Sequence, residues 1–210
     1  IGAESAVVAF DSITGGTLDH LLQEKLAPID AVPTMLGEWN ALCNGGGGGV
    51  GLARGWYITI GANTGTGKTL IGLNLAAEAA KHGETVTFVS LEMGRSELAT
   101  RLLSIVSGES TMVLEQGAAF DANAWRRAQQ AMDAMKQTTG GEVLMNRRPI
   151  SRLQDLAACI RHHAETFGSR YFVVDYVQLV WTANAHSIQE RMELVSHQLR
   201  ELTHTHNVVM

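Results

Sequence analysis

The stretch "GANTGTGKTL", residues 61–70, lies between "WYITI" at 56–60 and "IGLNLAAEAA" at 71–80. The first flank is β-branched and aromatic, while residues 67–82 carry Leu70, Leu73, Leu75 and Ala79 at roughly helical spacing, so the segment reads strand, loop, helix. Glycines in such a loop let backbone N–H groups turn inward around an anion, and the helix N-terminus adds its unpaired donors and dipole. The spacing fits a P-loop, with Ala62, Asn63, Thr64, Gly65, Thr66, Gly67, Lys68, Thr69 and Leu70 as the nucleotide-binding run. Lys68 is placed to reach the β and γ phosphates and Thr69 to put its hydroxyl on Mg²⁺. The leading glycine of the strict pattern is replaced by Ala62, which puts that position's backbone freedom in question. The plain alternative is a glycine-rich turn that binds nothing.

A chain of 210 residues suits one large domain, or a domain with a short appendage. Its net charge of −5 argues against a broad basic surface that wraps duplex nucleic acid, and leaves room for a narrow contact built from loops. Cys43 and Cys159 lie far apart with no metal spacing, so a reduced compartment is expected, and hence the cytoplasm. No apolar run is long enough to span a membrane, and "IGAESAVVAF" has no charged leader region. The start at Ile1 and the stop at Met210 in "NVVM" read as cuts through a longer protein.

Residues 1–31 read as a linker or arm with a short helix from about Leu18 to Leu26, either a local surface helix or an element that docks on a neighbouring subunit. "NGGGGGVGLARG", 44–55, reads as a flexible loop. Beyond the P-loop, strands and helices alternate. "TVTFVSLE", "EVLMN" and "YFVVDYVQLV" are expected strands; Arg95–Val106, Asn123–Gln137, Ser151–Thr166 and Ile188–His206 are expected helices. That alternation predicts an α/β fold over 32–210, a mainly parallel sheet with helices on both faces.

Ligands of open parallel sheets sit at the C-terminal strand ends, which directs attention to the carboxylates there. "YFVVD" ends in Asp175, the form of a Walker B strand whose carboxylate serves Mg²⁺ opposite Thr69. "TVTFVSLE" ends in Glu92, suited to orient and deprotonate a water for attack on the γ phosphate. Gln178 offers an amide that either senses the γ phosphate or is an exposed strand-edge residue.

The set "GANTGTGKT", "SLEMGRSELATRLLS", "ISRLQDLAACIR" and "VVDYVQLV", in that order, resembles the C-terminal motor domain of DnaB-type replicative helicases, a RecA-like P-loop NTPase fold. The likeness covers about 32–210 and begins at "VPTMLGEWNALC". It implies a homo-hexameric ring that moves on single-stranded DNA by hydrolysing ATP with Mg²⁺ at subunit boundaries, with a primase or loader as partner. It further implies that Lys68 and Thr69 hold nucleotide and metal, Glu92 is the catalytic base, Asp175 serves the metal and Gln178 the coupling. Arg95 and Arg101 match family positions near the subunit interface and the site. Family members continue into an "SQ"-type sensor and an arginine finger, which fall outside this chain. The family's channel loop often carries basic residues, whereas "WTANAHSIQ", Trp181 to Gln189, has no Lys or Arg, so DNA contact there would fall to backbone N–H groups, Asn184, Ser187, Gln189 or a charged His186. The rival reading is a RecA-like regulatory or recombination ATPase without unwinding activity; a nucleotide-binding scaffold without turnover is a third.

The remaining clusters read more plainly. His162/His163 and His204/His206 diverge on a helix and do not chelate. "NRRP" places Arg147 and Arg148 at a strand end, where a solvated turn is preferred over a phosphate or acidic partner. Met132 and Met135 share a helix with Trp125 and Ala128 and read as packing.

Overall fold

Residues 30–43, 51–183 and 185–210 are described by a computed structural model, in which Ala31–Met210 forms one compact unit. The expected helix at Leu18–Leu26, residues 44–50 and Asn184 lie outside the described residues. In chain order the elements are β1 (Ala31–Val32), α1 (Gly37–Cys43), β2 (Leu52–Ala53), α2 (Lys68–Lys81), β3 (Thr85–Ser90), α3 (Arg95–Ser107) and α4 (Thr111–Glu115). They continue with α5 (Ala122–Thr139), β4 (Glu142–Met145), α6 (Leu153–Thr166), β5 (Tyr171–Asp175), a 3₁₀ turn (Val177–Leu179) and α7 (Ile188–Thr205).

β3 is central and parallel to both neighbours, with Thr85 opposite Glu142 on one side and Ser90 opposite Asp175 on the other. Alternation along the strands explains the two cores. Val86 and Phe88 of β3 and Tyr171 of β5 pack with Leu73, Ala76 and Ala80 of α2 and with Leu98 and Leu102 of α3. Val89 and Phe172, on the opposite face, pack with Leu156 and Ile160 of α6 and with Val195 and Leu199 of α7. Helices therefore cover both faces, as the alternating pattern predicts. Gly72 permits the close approach of α2, since a Cβ there would meet Val173 Cγ1 at 3.1 Å.

Four expectations need correction. Trp56–Ile60 does not form a regular strand: Gly55 and Ile58 donate to Val208 O (2.9 Å) and Met210 O (2.7 Å), Met210 donates to Trp56 O (3.0 Å), and Thr59 and Ile60 find no backbone partner among the described residues. Val209 in turn bridges Tyr171, so Val208–Met210 extends the sheet beyond β5 and joins this segment to it. The strand expected over Tyr171–Val180 stops at Asp175, because the chain then makes local bonds, Leu179 to Tyr176 O (3.2 Å) and Val180 to Val177 O (3.1 Å). Within the glycine run, Leu52–Ala53 pairs antiparallel with Ala31–Val32. Gly51 makes that possible at φ 118°, where a Cβ would lie 2.0 Å from Val32 O. Finally, α6 starts at Leu153 rather than Ser151, whose carbonyl accepts from Trp181 N–H at 2.6 Å. The short α1 and α4 have no counterpart among the expected elements.

Candidate functional site: a phosphate cradle facing two carboxylates

The loop between Gly61 and Gly67 turns on two glycines, Gly65 at φ 78° and Gly67 at φ 96°. A Cβ at Gly61, Gly65 or Gly67 would meet nothing within 4 Å, so the loop encloses open space. Gly67 caps α2 without any side-chain bond, leaving the first N–H groups of the helix free for an anion. The replacement of the leading glycine strains no backbone. Among the described non-glycine residues only Asn207 has positive φ, so Ala62 adopts a backbone open to any L-residue.

Lys68 folds across this loop, its Nζ donating to Ala62 O at 2.7 Å and Asn63 O at 2.8 Å. The loop is tightened by Thr66 Oγ1, which donates to Asn63 O at 2.7 Å. A cleft of about 360 Å³ opens beside it, lined by Ala62, Thr64, Gly65, Gly67, Lys68, Thr69 and Leu70, and across from them by Glu92, Arg101, Asp175, Tyr176 and Gln178. Residues widely separated in the chain thus converge as expected from strand ends of a parallel sheet. Asn63 and Thr66 stand outside the lining and shape the loop through their backbone and hydroxyl. Arg95 is exposed and not part of the cleft.

Asp175 is only 7% exposed, and its Oδ2 has no hydrogen-bond partner. A buried carboxylate oxygen left unpaired is costly unless a cation completes it, and the Thr69 hydroxyl lines the same cleft. Those two groups fit Mg²⁺. Glu92 is exposed on the bend after β3. Its backbone is held by two devices. Ser90 Oγ donates to Met93 O at 2.9 Å and accepts from Met93 N–H at 3.0 Å, closing the turn, while Leu91 N–H donates to Asp175 O at 2.8 Å. The side chain of Asn146, at the end of β4, clamps Ser90 by accepting from its N–H and donating to its carbonyl, each at 2.9 Å. Sequence reading missed Asn146, whose role depends on the β3–β4 pairing. Arg101 is already engaged by Glu97, one helical turn away, at 2.7 Å. Gln178 sits exposed on the 3₁₀ turn, and the described residues of the stretch from Trp181 to Gln189 follow it outside the cleft.

An extended segment, an open glycine loop and a helix, faced by carboxylates that follow two adjacent strands of a parallel sheet, define a P-loop nucleotide-binding α/β domain. The chain belongs to the DnaB-like helicase C-terminal domain family, whose profile matches residues 48–210. It is 29% identical over 202 residues to the replicative DNA helicase DnaB of Leifsonia xyli subsp. xyli, covering 95% of this chain and 40% of that protein. It is 26% identical to the replicative DNA helicase DnaC of Bacillus subtilis, covering 89% and 39%. The chain therefore spans about 40% of the length of these relatives. A solved ATPase domain superposes with a TM-score of 0.74 at 19% identity, covering 95% of this chain and 70% of that one. A DnaB-like replicative helicase, determined for its interactions with primase, superposes with a TM-score of 0.72 at 20% identity, covering 95% and 47%. The fold is RecA-like. No described helix is long and apolar enough to cross a membrane, and the described residues hold no group of three or more metal-ligating side chains.

Proposed function

We propose that this domain is the ATP-hydrolysing motor of a DnaB-like DNA helicase, acting in the cytoplasm as a homo-hexameric ring on single-stranded DNA and engaging a primase or loader through the full-length protein. The observation that carries the reading is the cleft that unites the open loop and Lys68 with Glu92 and the unpaired Oδ2 of Asp175. ATP enters with its β and γ phosphates against the free N–H groups at the head of α2. Lys68 exchanges its two loop carbonyls for phosphate oxygens, giving up neutral acceptors for charged ones. Thr69 and Asp175 would hold Mg²⁺, which supplies charge neutralisation on the transferring phosphoryl group. Glu92 accepts the proton of the attacking water, on a turn that Ser90 and Asn146 keep from drifting. Arg101 leaves Glu97 for the nucleotide, and Gln178 couples the γ phosphate to the loop from Trp181 to Gln189.

The test uses the full-length protein. Lys68→Ala should weaken ATP binding at least about tenfold with an unchanged circular dichroism spectrum, and wild type should unwind a forked duplex with ATP and Mg²⁺. Retained ATP affinity in the variant would remove the cradle assignment. ATP turnover stimulated by single strands but without unwinding would favour the regulatory or recombination ATPase.

A further inference from the structure

Two segments outside the nucleotide cleft meet edge to edge. Trp181 N–H donates to Ser151 O at 2.6 Å and Leu153 N–H donates to Trp181 O at 2.9 Å, so Arg152 and Trp181 are partners in a short parallel bridge. At the other end of the same stretch, the Asn146 amide that clamps Ser90 also donates to Arg148 O at 3.0 Å. The segment from Asn146 to Leu153 is thus braced at both ends. It carries Arg147, Arg148 and Arg152, all three exposed, and Arg152 is the bridge partner of Trp181, which is 50% exposed.

None of these arginines has an ion pair or a side-chain hydrogen bond among the described residues, and Asp155, in the first turn of α6, pairs with none of them. Arg54, Arg101 and Arg127 elsewhere each meet a glutamate. Three like charges held on one braced edge of a chain with net charge −5 repel one another, and a polyanion relieves that repulsion. Guanidinium forks match phosphate oxygens bidentately, and an exposed indole face offers a stacking platform for an unpaired base. A duplex hides its base faces, so the pairing of arginines with an open indole selects a single strand.

We propose that Arg147, Arg148, Arg152 and Trp181 form a single-stranded DNA contact, in which the arginines hold successive phosphates and Trp181 stacks on a base. This rests on the DNA-motor reading above. It assigns the phosphate-binding charge to the strand end beside the loop rather than to the loop itself, where Trp181 to Gln189 has no Lys or Arg.

The experiment measures binding of fluorescein-labelled oligo-dT to the full-length protein by anisotropy across a series of NaCl concentrations. Each lost phosphate contact lowers the slope of log K against log salt by about 0.7, so Arg147→Ala with Arg148→Ala should lower it by about 1.4. Affinity at moderate salt should fall about tenfold, with ATP affinity and circular dichroism unchanged. The charge-conserving control, R147K with R148K, should keep most of the slope. Trp181→Ala should weaken binding about fivefold or more with the slope unchanged. Wild-type slope and affinity in the double alanine variant would overturn the inference, as would intact oligo-dT binding combined with lost fork unwinding, which would give the arginines to a protein partner. Failure of the wild-type protein to bind oligo-dT would overturn the DNA-motor reading along with it.

Discussion

At the N-terminal edge of the sheet, Arg54 pairs with Glu84 and donates to Arg170 O at 3.0 Å, Lys136 meets Glu142 at 2.5 Å, and Thr139 Oγ1 donates to Ala80 O at 3.0 Å. At the C-terminal edge, Asp175 Oδ2 has no partner, Lys68 is satisfied only by carbonyls of its own loop, and Arg147, Arg148 and Arg152 have no counter-charge among the described residues. The strands are the same; what differs is where their polar ends find partners. One edge commits its polar groups to holding the fold, and the other leaves them open, where the proposed ligands would meet them. Substitutions should separate the two edges, since stability should be lost at one and chemistry at the other.

The largest effect is expected at Glu92. Glu92→Gln keeps shape and hydrogen bonding but removes the basic oxygen, so single-turnover ATP hydrolysis should fall by about 10²- to 10⁴-fold while ATP affinity and the urea midpoint stay at wild-type values. A loss under tenfold would give the proton to another group. At the opposite edge, Glu84→Ala removes the carboxylate of Glu84 from Arg54, whose side chain is 7% exposed. Stability should drop by about 3 kcal/mol in urea titration, with ATP affinity of the folded protein unchanged. A midpoint equal to wild type would mean that the N-terminal edge is not a stability element.

Asp175→Asn should move the other way. Neutralising a buried oxygen that has no hydrogen-bond partner among the described residues should raise nucleotide-free stability by about 1 kcal/mol while weakening Mg²⁺-dependent hydrolysis. Reduced stability in that variant would show that the fold itself uses the charge. The smallest effect concerns His163, whose Nδ1 lies 2.9 Å from Thr87 Oγ1, itself 2.8 Å from Ser169 Oγ. Burial, and secondarily the neighbouring His162, hold its imidazole below the ordinary value of 6.5. Between the folded and unfolded values the unfolded chain binds more protons, so this contribution is complete above about pH 6.5 and is lost as pH falls toward the depressed folded value. His163→Gln should flatten the wild-type decline in urea midpoint as the pH is taken from neutral to mildly acidic; an unchanged decline would place the titration elsewhere.

What the sequence disclosed depended on how local each signal was. α2, α3, α5, α6 and α7 follow from apolar spacing within one segment, and β3 from a run buried on both faces. The P-loop is contiguous, and Glu92 and Asp175 announce themselves by ending apolar strands. The errors fall where the deciding partner is distant. "WYITI" has strand-like residues, yet its ladder depends on Val208–Met210 and ends at Ile58. "YFVVDYVQLV" stays apolar past Asp175, but pairing with β3 ends at Ser90 and the chain turns on itself. The same distance hid the role of Asn146, because neither its brace to Ser90 nor the bridge of Arg152 to Trp181 leaves a trace in neighbouring residues.

The register of β3 bears on which changes in length this domain tolerates over generations. Ser90 lies opposite Asp175, Leu91 is tied to Asp175 O, and Glu92 follows at once. Deleting or inserting one codon between Thr85 and Ser90 would exchange Val86 and Phe88 with Thr87 and Val89 across the two cores, and would carry Glu92 off its strand end. The span from Gly108 to Asp121, between α3 and α5, has its exposed Met112 and Phe120 outside any ladder. Length variation among descendants of this domain should therefore accumulate there and stay out of β3.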